Sequence, residues 1–203
     1  MITYNTPSSV SGENSTFTFP HLVSGDNRLL LITIMLIPNA NQTVTSILFG
    51  DIELNRVQIT ECSQAARMEQ WYLIAPEVGT KDIVITLSAS AKAICTAVTV
   101  NGADQPNPFL FITNAVGEGV DNIPFTIQQA TGNSNLGIGF SNSIVSSTVY
   151  PGQTELWNIV YNNEMRTQAI YGPSVNDEDI NISNVLTAPA SYTLQLVNLK
   201  VAT

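Results

Sequence analysis

Hydrophobic and polar positions alternate along most of this chain with a period of two, the repeat of a β-strand, and no segment sustains a helical period. Residues 16–19 (Thr-Phe-Thr-Phe) give the first clean alternation, which Pro20 is expected to end. Residues 28–37 are apolar at nearly every position. Such a strand is covered on both faces, so this one is predicted to be central. Residues 44–49 and 52–57 flank Gly50-Asp51, which reads as the tip of a tight hairpin. Residues 60–66 are small and polar, hence a loop. A strand around Trp71 stops at Pro76, residues 82–87 alternate again, and a short loop at 88–91 precedes a strand at 93–100. The strongest breaker is Asn101-Gly102-Ala103-Asp104-Gln105-Pro106-Asn107-Pro108. Beyond it, strands are expected at 109–113, 124–129, 136–140, around Trp157, at 165–170, at 180–186 and at 192–201.

Short strands at regular spacing predict an all-β chain, a two-sheet antiparallel β-sandwich with jelly-roll-like character. It reads as a single domain over residues 1–203. If it divides into halves, the boundary falls near 101–108. The halves echo one another in order. Asn27-Arg28-Leu29 resembles Asn135-Leu136, and Glu69-Gln70-Trp71 resembles Glu155-Leu156-Trp157. Asp82-Ile83 resembles Asp179-Ile180, and residues 93–100 resemble 190–197. Period-2 geometry places the Glu and Trp of each pair on one face. If the echo is structural, each half is expected to contribute strands to both sheets.

Composition narrows the partners. Only 7 of 203 residues are Lys or Arg, against 16 Asp or Glu, for a net charge of −9. A nucleic-acid surface needs clustered cations, and an anionic membrane needs the same, so neither is expected. The longest apolar run is far too short to span a bilayer. The first residues lack a basic and apolar leader, which leaves use without signal-directed export or a leader already removed. Cys62 and Cys95 allow at most one disulfide. Cys95 lies in an apolar strand and reads as a small core residue.

The residues that carry a family likeness are Asn27-Arg28-Leu29-Leu30-Leu31, the stretch 44–50, Leu54-Asn55-Arg56-Val57, Glu69-Gln70-Trp71-Tyr72-Leu73, 82–88, 98–105, Glu155-Leu156-Trp157 and 194–200. Together they resemble a recurrent β-sandwich domain of bacterial surface proteins and some phage virion proteins. The likeness spans nearly the whole chain, and its motifs belong to packing and turns. It departs from the pattern at Ala103, where Val is usual, and at Tyr192, where Trp is frequent. It implies a fold and brings no catalytic residues with it.

Candidate chemistry is sparse. His21, the only histidine, reads as an ordinary surface or strand-end residue. Glu69 and Glu155 are the one tempting acid/base pair for sugar hydrolysis. The plainer reading makes both indoles core and gives each Glu a basic or amide neighbour. Asp177, Glu178 and Asp179 could ligate calcium through hard oxygens, with Asn176 or Asn181 beside them, and no other cofactor is expected. Glu118 and Asp121, in a glycine-rich loop, are a weaker cation candidate.

The expected function is non-enzymatic and structural: a phage virion surface component, such as a head decoration, cement or fibre-like protein, made in the host cytoplasm. Its partners would be further copies of itself and a capsid or other virion protein, with residues 1–15 and the proline-rich midpoint as contact arms. The alternative is a carbohydrate-binding or adhesive module at a cell surface or outside the cell. That module would use Tyr72, Tyr150, Tyr161 and Tyr171 as stacking platforms for surface glycans.

Overall fold

A computed structural model describes residues 1–37, 42–61, 66–123, 126–127, 134–141, 147–149, 153–173, 180–181 and 184–203. The first hundred residues form β1 (Thr3–Tyr4), β2 (Ser8–Val23), β3 (Leu29–Leu36), β4 (Val44–Phe49), β5 (Ile52–Glu53), β6 (Asn55–Glu61), β7 (Arg67–Ile74) and β8 (Gly79–Asn101). The remainder forms β9 (Phe109–Ile123), β10 (Thr126–Ile127), β11 (Ser134–Ser141), β12 (Ser147–Val149), β13 (Thr154–Tyr161), β14 (Met165–Pro173), β15 (Ile180–Asn181) and β16 (Asn184–Leu199). Every pairing between these strands is antiparallel, and no helix occurs among the described residues. The chain is an all-β, sandwich-like protein.

β3 is central, as its unbroken apolar run requires. It pairs with β7 on one side and β8 on the other, and all its residues are buried. The predicted hairpin at Gly50-Asp51 joins β4 to β5, with Phe49 opposite Ile52 and Gly50 at φ 59°.

The eight-stranded sheet runs β5-β4-β8-β3-β7-β6, with β1 and β2 on β8, and it folds over on itself. The corner lies where Asn14 pairs with Ala91 but Thr16 pairs with Thr86. The exposed Ser88, Ala89 and Ser90 bulge there, and such irregularities are how strands turn from one layer into another. These residues read as a loop in sequence because their composition is that of a corner, yet β8 runs through them. Pro20 likewise does not end β2. It sits inside the strand opposite Asp82, on an edge where a missing N–H costs no ladder bond.

Burial along β8 separates the two layers. Residues 83–87 alternate, as in a layer with one wet face, whereas 93–100 are buried throughout. The first core cluster fills the fold-over. Phe17, Phe19, Ile47, Phe49, Ile83 and Ile85 on the outer layer meet Leu30, Ile32, Ile34 and Trp71 on the middle one. The second cluster lies on the other face of the middle layer. There Leu29, Leu31, Met35, Met68, Val98 and Val100 meet Trp157, Met165, Ala169, Val197 and Leu199 from the second half.

The second half repeats the topology of the first. Its main sheet runs β12-β16-β11-β14-β13 with β9 on β16, strand for strand the order β4-β8-β3-β7-β6 with β2 on β8. Register follows too. Leu29 pairs with Val100, and Leu136 pairs with Val197, as the echo aligns them. Two expectations need correction. Each half builds its own sheet instead of feeding both. The tryptophans are not equivalent, since Trp71 is on β7 but Trp157 is on β13, which holds the place of β6.

Candidate assembly surface

β9 closes one side of the six-stranded sheet. Among the described residues it pairs only with β16, leaving its other edge without a strand. The ladder from Phe111 to Gly117 is regular, with Phe111 opposite Asn198 and Gly117 opposite Tyr192. Odd positions share a face with Tyr192, Leu194 and Leu196. Even positions share the face of Gln195, which turns toward the first half: its Nε2 donates to Thr60 Oγ1 and the Met68 carbonyl, both at 3.0 Å. Both faces of β9 are apolar and open: Leu110, Phe111, Ile112 and Val116 are 47, 48, 38 and 49% exposed. No charged residue occurs from Gln105 through Gly117 in a chain of net charge −9. Leu22, Ile52 and Val78 are also exposed, but each stands on a different element, the ordinary condition of a protein surface.

An open, apolar and uncharged edge is what another strand adds to, through main-chain hydrogen bonds flanked by side-chain contacts. By sequence the strand is expected to end at Thr113, since Asn114 to Gly119 is mostly small and glycine-bearing. The strand continues because Gly117 admits the Tyr192 ring, where a Cβ would collide with it. Glu118 and Asp121 therefore lie within β9 and not in a loop.

The remaining candidates fall elsewhere. Glu69 is fully buried on the face of the middle layer that turns away from the second half. Its Oε1 accepts from Arg67 Nε at 2.7 Å and from the Val44 amide at 3.2 Å, and its Oε2 accepts the Trp71 indole N–H at 3.2 Å. Arg67 also pairs with Glu61. Glu155 is exposed on the outer face of the second sheet, where it accepts from Gln168 Nε2 and Asn158 Nδ2. A bulge at Leu156 turns Glu155 to the opposite face from Trp157, so the shared-face expectation holds for Glu69 and Trp71 and fails for the second pair. Two stacked sheets separate these carboxylates, too far for both to act on one glycosidic bond. Both indoles are core, and each Glu has a basic or amide partner.

His21 is not a surface residue. It is buried between the two layers of the first half, with Nδ1 2.8 Å from Ser8 Oγ and Nε2 2.9 Å from Thr99 Oγ1. A neutral imidazole offers one donor and one acceptor, and two hydroxyls satisfy either tautomer. Burial lowers its pKa from 6.5 to about 4. A catalytic triad would need a carboxylate where Thr99 stands.

Tyr72 meets Phe109 edge-on at 5.1 Å, and Tyr171 packs on Tyr4 at 4.3 Å with the rings tilted by 39°. Tyr161 is half-buried against the second cluster. Tyr4, Asn5, Thr6, Leu22 and Ser24 line a shallow cavity of about 290 Å³ beside the Tyr4–Tyr171 pair. Tyr150, Cys62, and the calcium candidates Asp177, Glu178 and Asp179 lie outside the described residues. Cys95 is a free, buried thiol whose pKa burial pushes far up.

The site and fold define an antiparallel β-sandwich-like protein in which β9, among the described residues, has a strand on one edge only. Compared with protein-family models and with curated proteins, the sequence matches none.

Proposed function

We propose that this protein is a non-enzymatic structural subunit, a component of a phage virion surface that works through contacts with other copies and with a capsid or other virion protein. The observation that carries the reading is the β9 edge. Apolar side chains on both faces and an uncharged stretch of main chain are concentrated on one strand of an otherwise acidic molecule. The sequence resemblance to a β-sandwich domain shared by bacterial surface and virion proteins supports the same reading. Mass spectrometry and immunogold labelling of purified, salt-washed particles from a host carrying this gene test it. The chain is expected on the particle exterior in a fixed ratio to the major capsid protein. Finding it only on the cell surface or in the medium overturns the proposal.

A second reading, glycan binding, is favoured by the cavity beside Tyr4. An aromatic ring beside amide and hydroxyl groups is the chemistry of a saccharide subsite, though here the Asn5 amide donates to Ser24 Oγ at 3.0 Å, a bond a sugar hydroxyl would have to share. A glycan array on the wild type and Tyr4→Ala discriminates. Saturable binding lost in the variant supports this reading, and no binding by the wild type removes it.

A further inference from the structure

We propose that β9 pairs antiparallel with β9 of a second copy about a two-fold axis through Asn114, joining two six-stranded sheets edge to edge. This names the partner for the edge described above and rests on the assembly reading only in treating that edge as an interface.

The duplicated topology supplies an internal comparison. β2 and β9 hold the same place, each an outer partner of the long strand behind it. β2 is blunted from Glu13 onward: Glu13 is charged, a bulge sits between Asn14 and Thr16, and Pro20 has no N–H to offer. These are the devices that keep sheet edges from pairing. Between Phe111 and Gly117, β9 has no charge, no proline and no bulge. Beyond Gly117, β9 is interrupted in the same way, by Glu118, Asp121 and two register shifts, so the open edge is confined to residues 111–117.

The open segment is also complementary to itself. In an antiparallel ladder centred on Asn114, Ile112 faces Val116 of the second copy, and Val116 faces its Ile112. Thr113 faces Ala115. Phe111 faces Gly117, the glycine over which Tyr192 lies, so the two aromatic rings are brought together in the gap a side chain would fill. Directly opposed residues in such a ladder are about 4.5–5.5 Å apart at Cα. A two-fold interface requires one patch to match itself, and this register meets that condition at every position from 111 to 117. Phe111, Ile112 and Val116 are the exposed apolar side chains within this ladder, a contact smaller than the standard specific interface, so the dimer is expected to be concentration-dependent. Charge sets a further expectation. Two copies at −9 repel at long range while the contact itself is neutral, so added salt strengthens the dimer.

The test is light scattering on the full chain over a concentration series, at low and high salt, with cysteine cross-linking in a Cys62→Ser background. A wild-type dimer is expected, with Val116→Lys monomeric and unchanged in circular dichroism and melting temperature. Asn114→Cys should form a disulfide with itself on mild oxidation. Ile112→Cys alone should not, but should cross-link when mixed with Val116→Cys. A wild type that stays monomeric at high salt, a dimer that survives Val116→Lys, or an Asn114→Cys that never cross-links overturns the pairing. Monomeric protein found on particles sinks the pairing and leaves the virion reading standing. A dimer in this register that is absent from particles does the reverse.

Discussion

Glu69 accepts the indole N–H of Trp71 from two residues earlier on the same strand, at 3.2 Å, with the carboxylate fully buried. The same carboxylate receives Arg67 and the Val44 amide, so it ties β7 to the start of β4 across the first core cluster. Glu69→Ala would strand the Val44 amide and the Trp71 indole N–H and leave Arg67 with Glu61 alone. A loss of about 1–3 kcal/mol is expected by urea denaturation, the cost of leaving a buried donor unsatisfied. Glu69→Gln keeps an acceptor and should lose less. Equal losses in the two variants would show that the hydrogen bonds are not what stabilises this corner.

His21 should make stability fall in mild acid. Its folded pKa is about 4 and its unfolded value 6.5, so above pH 6.5 both states are neutral and the residue has no effect on the balance. Between 6.5 and 4 the unfolded chain takes up a proton that the folded chain refuses, and stability drops by up to about 3 kcal/mol; below 4 the effect levels off. His21→Gln should flatten the curve of melting temperature against pH in that window alone. An unchanged slope would assign the acid sensitivity to other groups.

Gln195 fastens the second sheet to the first through Thr60 and the Met68 carbonyl. Gln195→Leu removes both bonds and leaves the buried Met68 carbonyl without this donor, at a cost of about 1–3 kcal/mol. The second core cluster draws on both halves, so fluorescence from Trp71 and Trp157 should still report one coincident transition with circular dichroism. Separate transitions would show that the halves unfold independently.

Cys95 should resist thiol reagents. It is buried, and burial disfavours the reactive thiolate. In Cys62→Ser, no thiol should titrate in the native protein, and one should appear in denaturant. Rapid native labelling would place Cys95 at a surface.

Much of the fold was legible because single residues reported their surroundings. The unbroken apolar run of β3 could only be central, and Gly50-Asp51 could only be a tight turn. The errors share a cause: partners come from far along the chain. Pro20 is tolerated because β2 has one neighbour among the described residues, a fact held by residues sixty positions away. Ser88 to Ser90 look like a loop because a corner strand is solvated like one. The echo was real in Leu29 with Val100 and Leu136 with Val197, but its most visible marker, the tryptophans, belonged to non-equivalent strands. The open edge of β9 was hidden because its single neighbour among the described residues depends on which strands lie beside β16.

β8 partners β1, β2, β3 and β4 at once. During synthesis, therefore, β4 can complete its ladder on β8 only after Leu87 has left the ribosome, β2 after Ala97, β3 after Val100 and β1 after Asn101. Nascent chains arrested before Leu87 has emerged should be digested readily by protease, and resistance should be gained by the time Asn101 has emerged, because a single late segment converts four waiting strands into a finished wall.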